Sequence, residues 1–308
     1  MRQAAAYYER AIELDPGYAW AWATMADMYR NLWLVLPASE AAPYQDLSDR
    51  AMAAAIELAP ASSVVRRTQA FHLVDRGDYL GAEAALAQVQ ELDGLVSTKA
   101  SSAYVSLLIK TGKAREVEPI VALGRRREPL SAGAAMYLGH VYAMQGRVEE
   151  ALDELERGYA ADLKRGLISV EGLVTSLATR DDDVVARWLE RAVDYQPPGA
   201  MGIHTAMAAR LGDRDEALRF LRRGFAERAV PDYYVILWAA YYGDEDLALD
   251  ALRRYPDPWA LWAPVLAEVR RSPAFAGIVE STTLPLYWER HGWGDFCERG
   301  TDRVLTCY

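Results

Sequence analysis

Small and apolar residues return along the chain at intervals of three and four, the period of one helical face, in stretches separated by glycine-containing or polar turns. The spacing predicts a helix over AAAYYERAIEL near the start, with Ala4, Tyr8 and Ala11 on one face and Pro16 closing it. The same order of small, bulky and small residues recurs as Ser48, Met52, Ala55, then Ala82, Leu86, Val89, then Ala151, Leu155, Gly158. It returns as Val185, Leu189, Ala192 and as Ala217, Leu221, Gly224, with Pro60 and Pro197 standing where Pro16 does. A glycine lies five residues ahead of the frame at Gly77, Gly112, Gly146, Gly212 and Gly243. Glycine there ends one helix in the left-handed conformation that other residues resist, and proline forbids the next helix to continue. Small residues around a bulky one give a helix a flat patch and a knob, so that its partner packs closely.

The frame starts at positions 4, 48, 82, 117, 151, 185, 217 and 248, at intervals of 44, 34, 35, 34, 34, 32 and 31. Each unit leaves an apolar face that only the next can cover, which predicts a stacked array. A period near 34 built of two helices resembles the tetratricopeptide repeat. The resemblance is carried by YLGHVYAMQGRVEEALDELERGY, where Leu138, Gly139, Tyr142, Gly146, Ala151, Leu155 and Gly158 fall on the signature positions, and by Trp22, Ala26 and Tyr29. It implies an all-α, right-handed superhelical solenoid of antiparallel helix pairs. Residues 1–18 read as the second helix of an incomplete repeat, 19–256 as an array of about seven units, and 257–308 as a tryptophan-rich helical cap and tail. The opening stretch lacks the first helix of its pair, which favours a fragment of a longer protein over a second molecule covering Tyr8.

The 44-residue interval marks an insertion at 31–46. Pro37 and Pro43 are read as bounding an apolar loop with Trp33, Leu34 and Leu36, either folded back over a neighbouring unit or docking a partner. In the tail, Leu261, Trp262, Val265, Leu266 and Val269 share one helical face, and Ser272-Pro273 and Leu284-Pro285 start two further helices. A cluster of Trp259, Trp262, Tyr287, Trp288, Trp293 and Phe296 can close an array by burying much area in few residues. LWAPVLAEVRRSPAF, LPLYWERHGW and GDFC are also similar to the end of bacterial signalling proteins in which a tetratricopeptide array follows a CadC-like winged-helix domain or an adenylate or guanylate cyclase. That similarity implies an output domain not contained in these residues. The only cysteines, Cys297 and Cys307, are ten apart and read as free thiols or as the closure of a small loop. If the similarity places the array across a membrane from its output domain, they become disulfide candidates.

Composition narrows the partners. A net charge of −10 repels nucleic-acid phosphates, so none is expected to bind. No run reaches the roughly 18 apolar residues of a membrane span, and the start lacks a signal-peptide core, so the chain reads as soluble, with cytoplasm and periplasm both open. The four histidines are scattered, no phosphate loop or nucleophile elbow occurs, and neither enzymatic activity nor a cofactor or metal is expected. Asp181-Asp182-Asp183 and Asp244-Glu245-Asp246 read as helix caps, and Arg125-Arg126-Arg127 as cations at a helix C-terminus.

The resemblance implies a non-catalytic scaffold or sensor that binds a peptide or partner protein in a concave groove lined by first helices. By register the groove residues are Asp27 and Arg30, then Arg67 and Phe71, then Ser102 and Ser106, then Met136, His140 and Met144. Carboxylate clamps of that family use lysine and asparagine where Arg67, Phe71 and Ser102 stand, so the chaperone-tail role is not expected. The alternative is a self-associating structural module, a homo-oligomer formed through the N-terminal half-repeat.

Overall fold

The computed structural model describes residues 2–35, 38–94, 102–161, 166–194 and 202–308. Among them the chain is all-α, a succession of helix pairs, with one two-stranded hairpin near the end. Two compact units emerge, residues 1–107 and residues 108–196 with 200–308.

The first unit holds α1 (Arg2–Leu14), α2 (Ala19–Val35), α3 (Ala38–Leu58), α4 (Ser63–Asp75), α5 (Tyr79–Asp93) and the start of α6 (Ser102–Lys110). Ala21, Ala26, Ala51 and Ala55 have no exposed surface, and this lets α2 and α3 approach while Met25, Tyr29 and Met52 fill the space between them. The expected loop at 31–46 is corrected here: α2 runs to Val35, α3 begins at Ala38, and the additional residues lengthen both helices of the pair. Leu32 is buried in the core and Trp33 is half-buried, whereas Leu36, Pro37 and the side chain of Leu34 lie outside the described residues. Pro43 sits in the second turn of the 21-residue α3, where its missing N–H removes one bond from a ladder long enough to absorb the loss.

The second unit continues with α7 (Ala114–Arg127), α8 (Ala132–Met144), α9 (Val148–Ala161), α10 (Gly166–Ser176), α11 (Asp182–Asp194) and α12 (Ile203–Ala208). Then come α13 (Arg214–Ala226), α14 (Asp232–Tyr241) and α15 (Glu245–Arg254). Gly77, Gly112, Gly146, Gly212 and Gly243 all have positive φ, as the sequence requires. At four of these turns the backbone closes in the same way: Gly112 N–H donates to Ile109 O at 3.0 Å and Lys113 N–H to Leu108 O at 2.8 Å, with the equivalent pair at Gly77, Gly146 and Gly243. The acidic runs cap the helices they precede, Asp181 accepting from Asp183 N–H and Val184 N–H at the start of α11, and Asp244 from Leu247 N–H at the start of α15.

The tail is built of short pieces: α16 (Pro258–Leu261), a 3-10 turn at Pro264–Leu266, α17 (Ala267–Arg270), α18 (Pro273–Glu280) and α19 (Leu284–His291). The face expected to run from Leu261 to Val269 is therefore divided, because Pro264 has no N–H to continue a helix from α16. The hairpin of β1 (Cys297–Arg299) and β2 (Leu305–Cys307) pairs Cys297 with Cys307, and the two sulfurs are joined as a disulfide.

Candidate functional site: the first-helix faces

In the first unit, α2 and α4 pack against each other and bring several of the expected groove residues together. Arg30 is buried at 7% exposure and is the hub. Its Nε and Nη2 donate to Asp27 Oδ1 at 3.0 and 2.8 Å, and Nη1 pairs with Asp75 of α4. The guanidinium lies 4.2 Å from the centroid of Phe71, so that one cation is held by two carboxylates and a ring. Arg67, one turn before Phe71 on α4, pairs with Asp93 of α5 at 3.1 Å. Beside this network His72 is buried, its Nδ1 3.3 Å from Ser48 Oγ, which itself donates to Ala26 O at 3.0 Å. Burial first, and then the nearby Arg30 charge, hold the His72 pKa down to about 4, so the ring is neutral at pH 7. Asp27, Arg67 and Phe71 retain partial exposure above this buried layer. On α6, Ser106 is buried and Ser102 is exposed.

In the second unit the same face is covered by the chain itself. His140 is buried, with Nδ1 2.8 Å from Glu171 Oε1 and its ring 4.5 Å from Trp259 of the tail. Met144 is also buried and Met136 is half-buried. The Pro264–Leu266 turn packs against α10 and α14. Trp262, with no exposed surface, donates its indole N–H to Lys110 O at 3.0 Å, and Trp288 donates to Thr111 O at 2.8 Å. The structure thus divides the expected set, with Asp27, Arg67 and Phe71 partly exposed in the first unit, and in the second Met144 buried and His140 buried against Trp259 of the tail.

One sequence signal would have marked this second face. First helices exposed to a groove are amphipathic, but YYVILWAAYY is apolar on every side, and all of Tyr234 to Tyr241 is buried. The second helices differ: α9, α13 and α15 carry charge on their outer faces over an apolar stripe.

Two shallow hollows of about 450 and 260 Å³ lie along the helix turns of the second unit and share Arg214. Several of their charges are engaged internally: Arg214 Nε donates to Tyr242 O at 2.8 Å, Arg222 pairs with Asp244 at 2.5 Å, and Asp182 accepts from the Tyr241 hydroxyl. Among the described residues no three His, Cys, Asp or Glu side chains are grouped as a metal set, and no helix is long and apolar enough to cross a membrane.

No family model and no curated protein matches the chain. Among solved structures it is similar to YrrB, described as a tetratricopeptide protein with an unusual peptide-binding site, at 15% identity and a TM-score of 0.38 over 67% of this chain and all of that one. It is also similar to the tetratricopeptide domain of P58(IPK), at 10% identity and a TM-score of 0.28 over 93% of this chain and 88% of that one. Likenesses this loose pass no ligand from those proteins to this one.

Proposed function

We propose that the chain is a non-catalytic interaction module that takes a peptide or partner protein on the first-helix face of its first unit. The observation that carries the reading is the buried Arg30 hub, which fixes α2 against α4 and so presents Asp27, Arg67 and Phe71 on a pre-organised surface. A face with one ring flanked by a carboxylate and a guanidinium suits an extended segment carrying both apolar and charged side chains. The similarity of the tail to bacterial signalling arrays supports placing the module within a larger regulatory protein.

Affinity capture from lysate by the wild-type chain and by the Arg67→Ala and Phe71→Ala variants tests this reading. A specific captured protein should be lost, by tenfold or more, from at least one variant whose circular dichroism is unchanged. Equal capture by all three chains rejects the face. Tyr7 and Leu14 of α1, 69% and 72% exposed, favour self-association as the second reading, and sedimentation showing one concentration-independent monomer would remove it.

A further inference from the structure

The turn between α1 and α2 carries three aromatic rings at the edge of the first unit. Trp20, in the first turn of α2, and Tyr18, just before it, are each 44% exposed, and Tyr8 of α1 is half-buried beside the core. Both tyrosines meet the indole, Tyr8 at 5.8 Å between centroids and 71° between planes, Tyr18 at 5.8 Å and 35°. Parallel stacked rings bury the faces between them, but rings inclined in this way leave an angle in which one ion can touch more than one π-face. The backbone beneath them is fixed. Tyr18 N–H donates to Asp15 O at 3.1 Å, Tyr18 O accepts from Ala21 N–H at 3.0 Å and from Trp22 N–H at 3.3 Å, and the Trp22 indole N–H donates to Pro16 O at 3.0 Å.

Charge decides what such a cluster would hold. Between Tyr7 and Trp20 the sequence places Glu9, Glu13 and Asp15 against Arg10 alone, and Arg10 is taken by Glu13 at 2.6 Å. Elsewhere this chain lays guanidinium groups on its own rings: Arg30 over Phe71 at 4.2 Å, Arg147 over Tyr142 at 3.9 Å and Arg254 over Phe225 at 3.6 Å. Among the described residues no arginine or lysine lies over Tyr8, Tyr18 or Trp20. We infer that these three rings are a site for an arginine side chain of a partner peptide, its guanidinium on the Trp20 indole and its charge balanced by the surplus of carboxylates on α1 and the turn. A flat, weakly hydrated guanidinium suits ring faces better than an ammonium group does. Trp20 stands seven residues before Asp27, two turns away on the same face of α2. The inference therefore deepens the interaction reading above and rests on it for the peptide, since a segment lying along that face reaches the rings at one end.

The test titrates the isotope-labelled full chain with N-acetylarginine amide and with N-acetylcitrulline amide, which has nearly the same shape and no charge. The readout is the indole N–H resonance of Trp20 in the nuclear magnetic resonance spectrum, identified as the one absent from the Trp20→Leu variant. The arginine amide should shift that resonance saturably, and the citrulline amide should bind roughly fivefold or more weakly. Tyr18→Leu, with its circular dichroism unchanged, should weaken the arginine amide by roughly threefold, because one ring of the set is gone. Equal affinity for the two amides overturns the proposal, since the rings would then be an apolar patch indifferent to charge. So does a Trp20 resonance that neither amide moves, or a folded Tyr18→Leu variant that binds the arginine amide as the wild type does. No captured protein enters the measurement, so the rings can bind arginine while the Arg67 and Phe71 variants capture equally, and the two readings fail separately.

Discussion

At the scale of single residues, close approach decides which positions tolerate change. A side-chain carbon at Gly172 would collide with the indole of Trp188, which has no exposed surface and no room to move aside. Gly172→Ala should therefore lower stability by about 2 kcal/mol, read as a shift of the urea midpoint at constant m. Arg180 tests the opposite balance. It stands at the one turn between paired helices of the second unit where the sequence offers no glycine, and it adopts φ 56°. Its guanidinium compensates by donating to Ala240 O at 2.7 Å and to Tyr241 O, tying this turn to the end of α14. Arg180→Ala loses those bonds and keeps the left-handed strain, whereas Arg180→Gly loses the bonds and relieves it. Denaturation should find the alanine variant less stable than the glycine variant by about 1 kcal/mol, although alanine is the better helix former everywhere else.

At the scale of helices, local chemistry made the turns legible and length made one of them misleading. The five glycines and the small-bulky-small frame fixed where helices end and which face is covered, because both depend on residues within one or two turns of each other. Asp213 belongs to the same local set: its carboxylate accepts from Glu216 N–H at 3.0 Å at the start of α13. Asp213→Ala should cost about 1 kcal/mol in thermal denaturation and Asp213→Asn a few tenths, since asparagine caps nearly as well. Pro43 misled for a physical reason. A proline breaks a helix when the lost bond and the clash outweigh what the rest contributes, and α3 contributes a long face packed along α2. The tail's place on the first-helix faces of the second unit was not readable from spacing at all. Trp262 meets Lys110 across more than 150 residues, and such a contact leaves no local period. Its trace is compositional, in first helices such as α14 that are apolar all round and so require cover on the side away from their partner. For the candidate site this means that register assigns residues to a helix face but carries no information on whether that face is open or occupied.

At the scale of the whole molecule, each unit holds a histidine whose burial favours the neutral ring, His72 in the first and His204 in the second, and this sets a common response to acid. Burial holds His204 to about pKa 4, as burial and then Arg30 hold His72, against an ordinary value of 6.5 for both. Around His72 the carboxylates of Asp27 and Asp75 pull the other way without cancelling the effect, and neither nitrogen of His204 has a hydrogen-bond partner among the described residues. With the folded pKa values below the unfolded ones, the unfolded chain binds more protons between about pH 6.5 and pH 4. The stability linked to neutral imidazole is complete above pH 6.5, falls through that window by about 1.4 kcal/mol per pH unit for each histidine, and levels off below pH 4. Hydrogen exchange at pH 7 and pH 5, corrected for intrinsic rates, should show lost protection in α4 and in α12. His72→Asn, which keeps a polar atom facing Ser48, should flatten the pH response of α3 and α4 and leave that of α12 and α14 unchanged. His204→Leu should do the reverse. If either substitution flattens both sets together, the two units do not open independently, and acid acts on the chain as a single cooperative body.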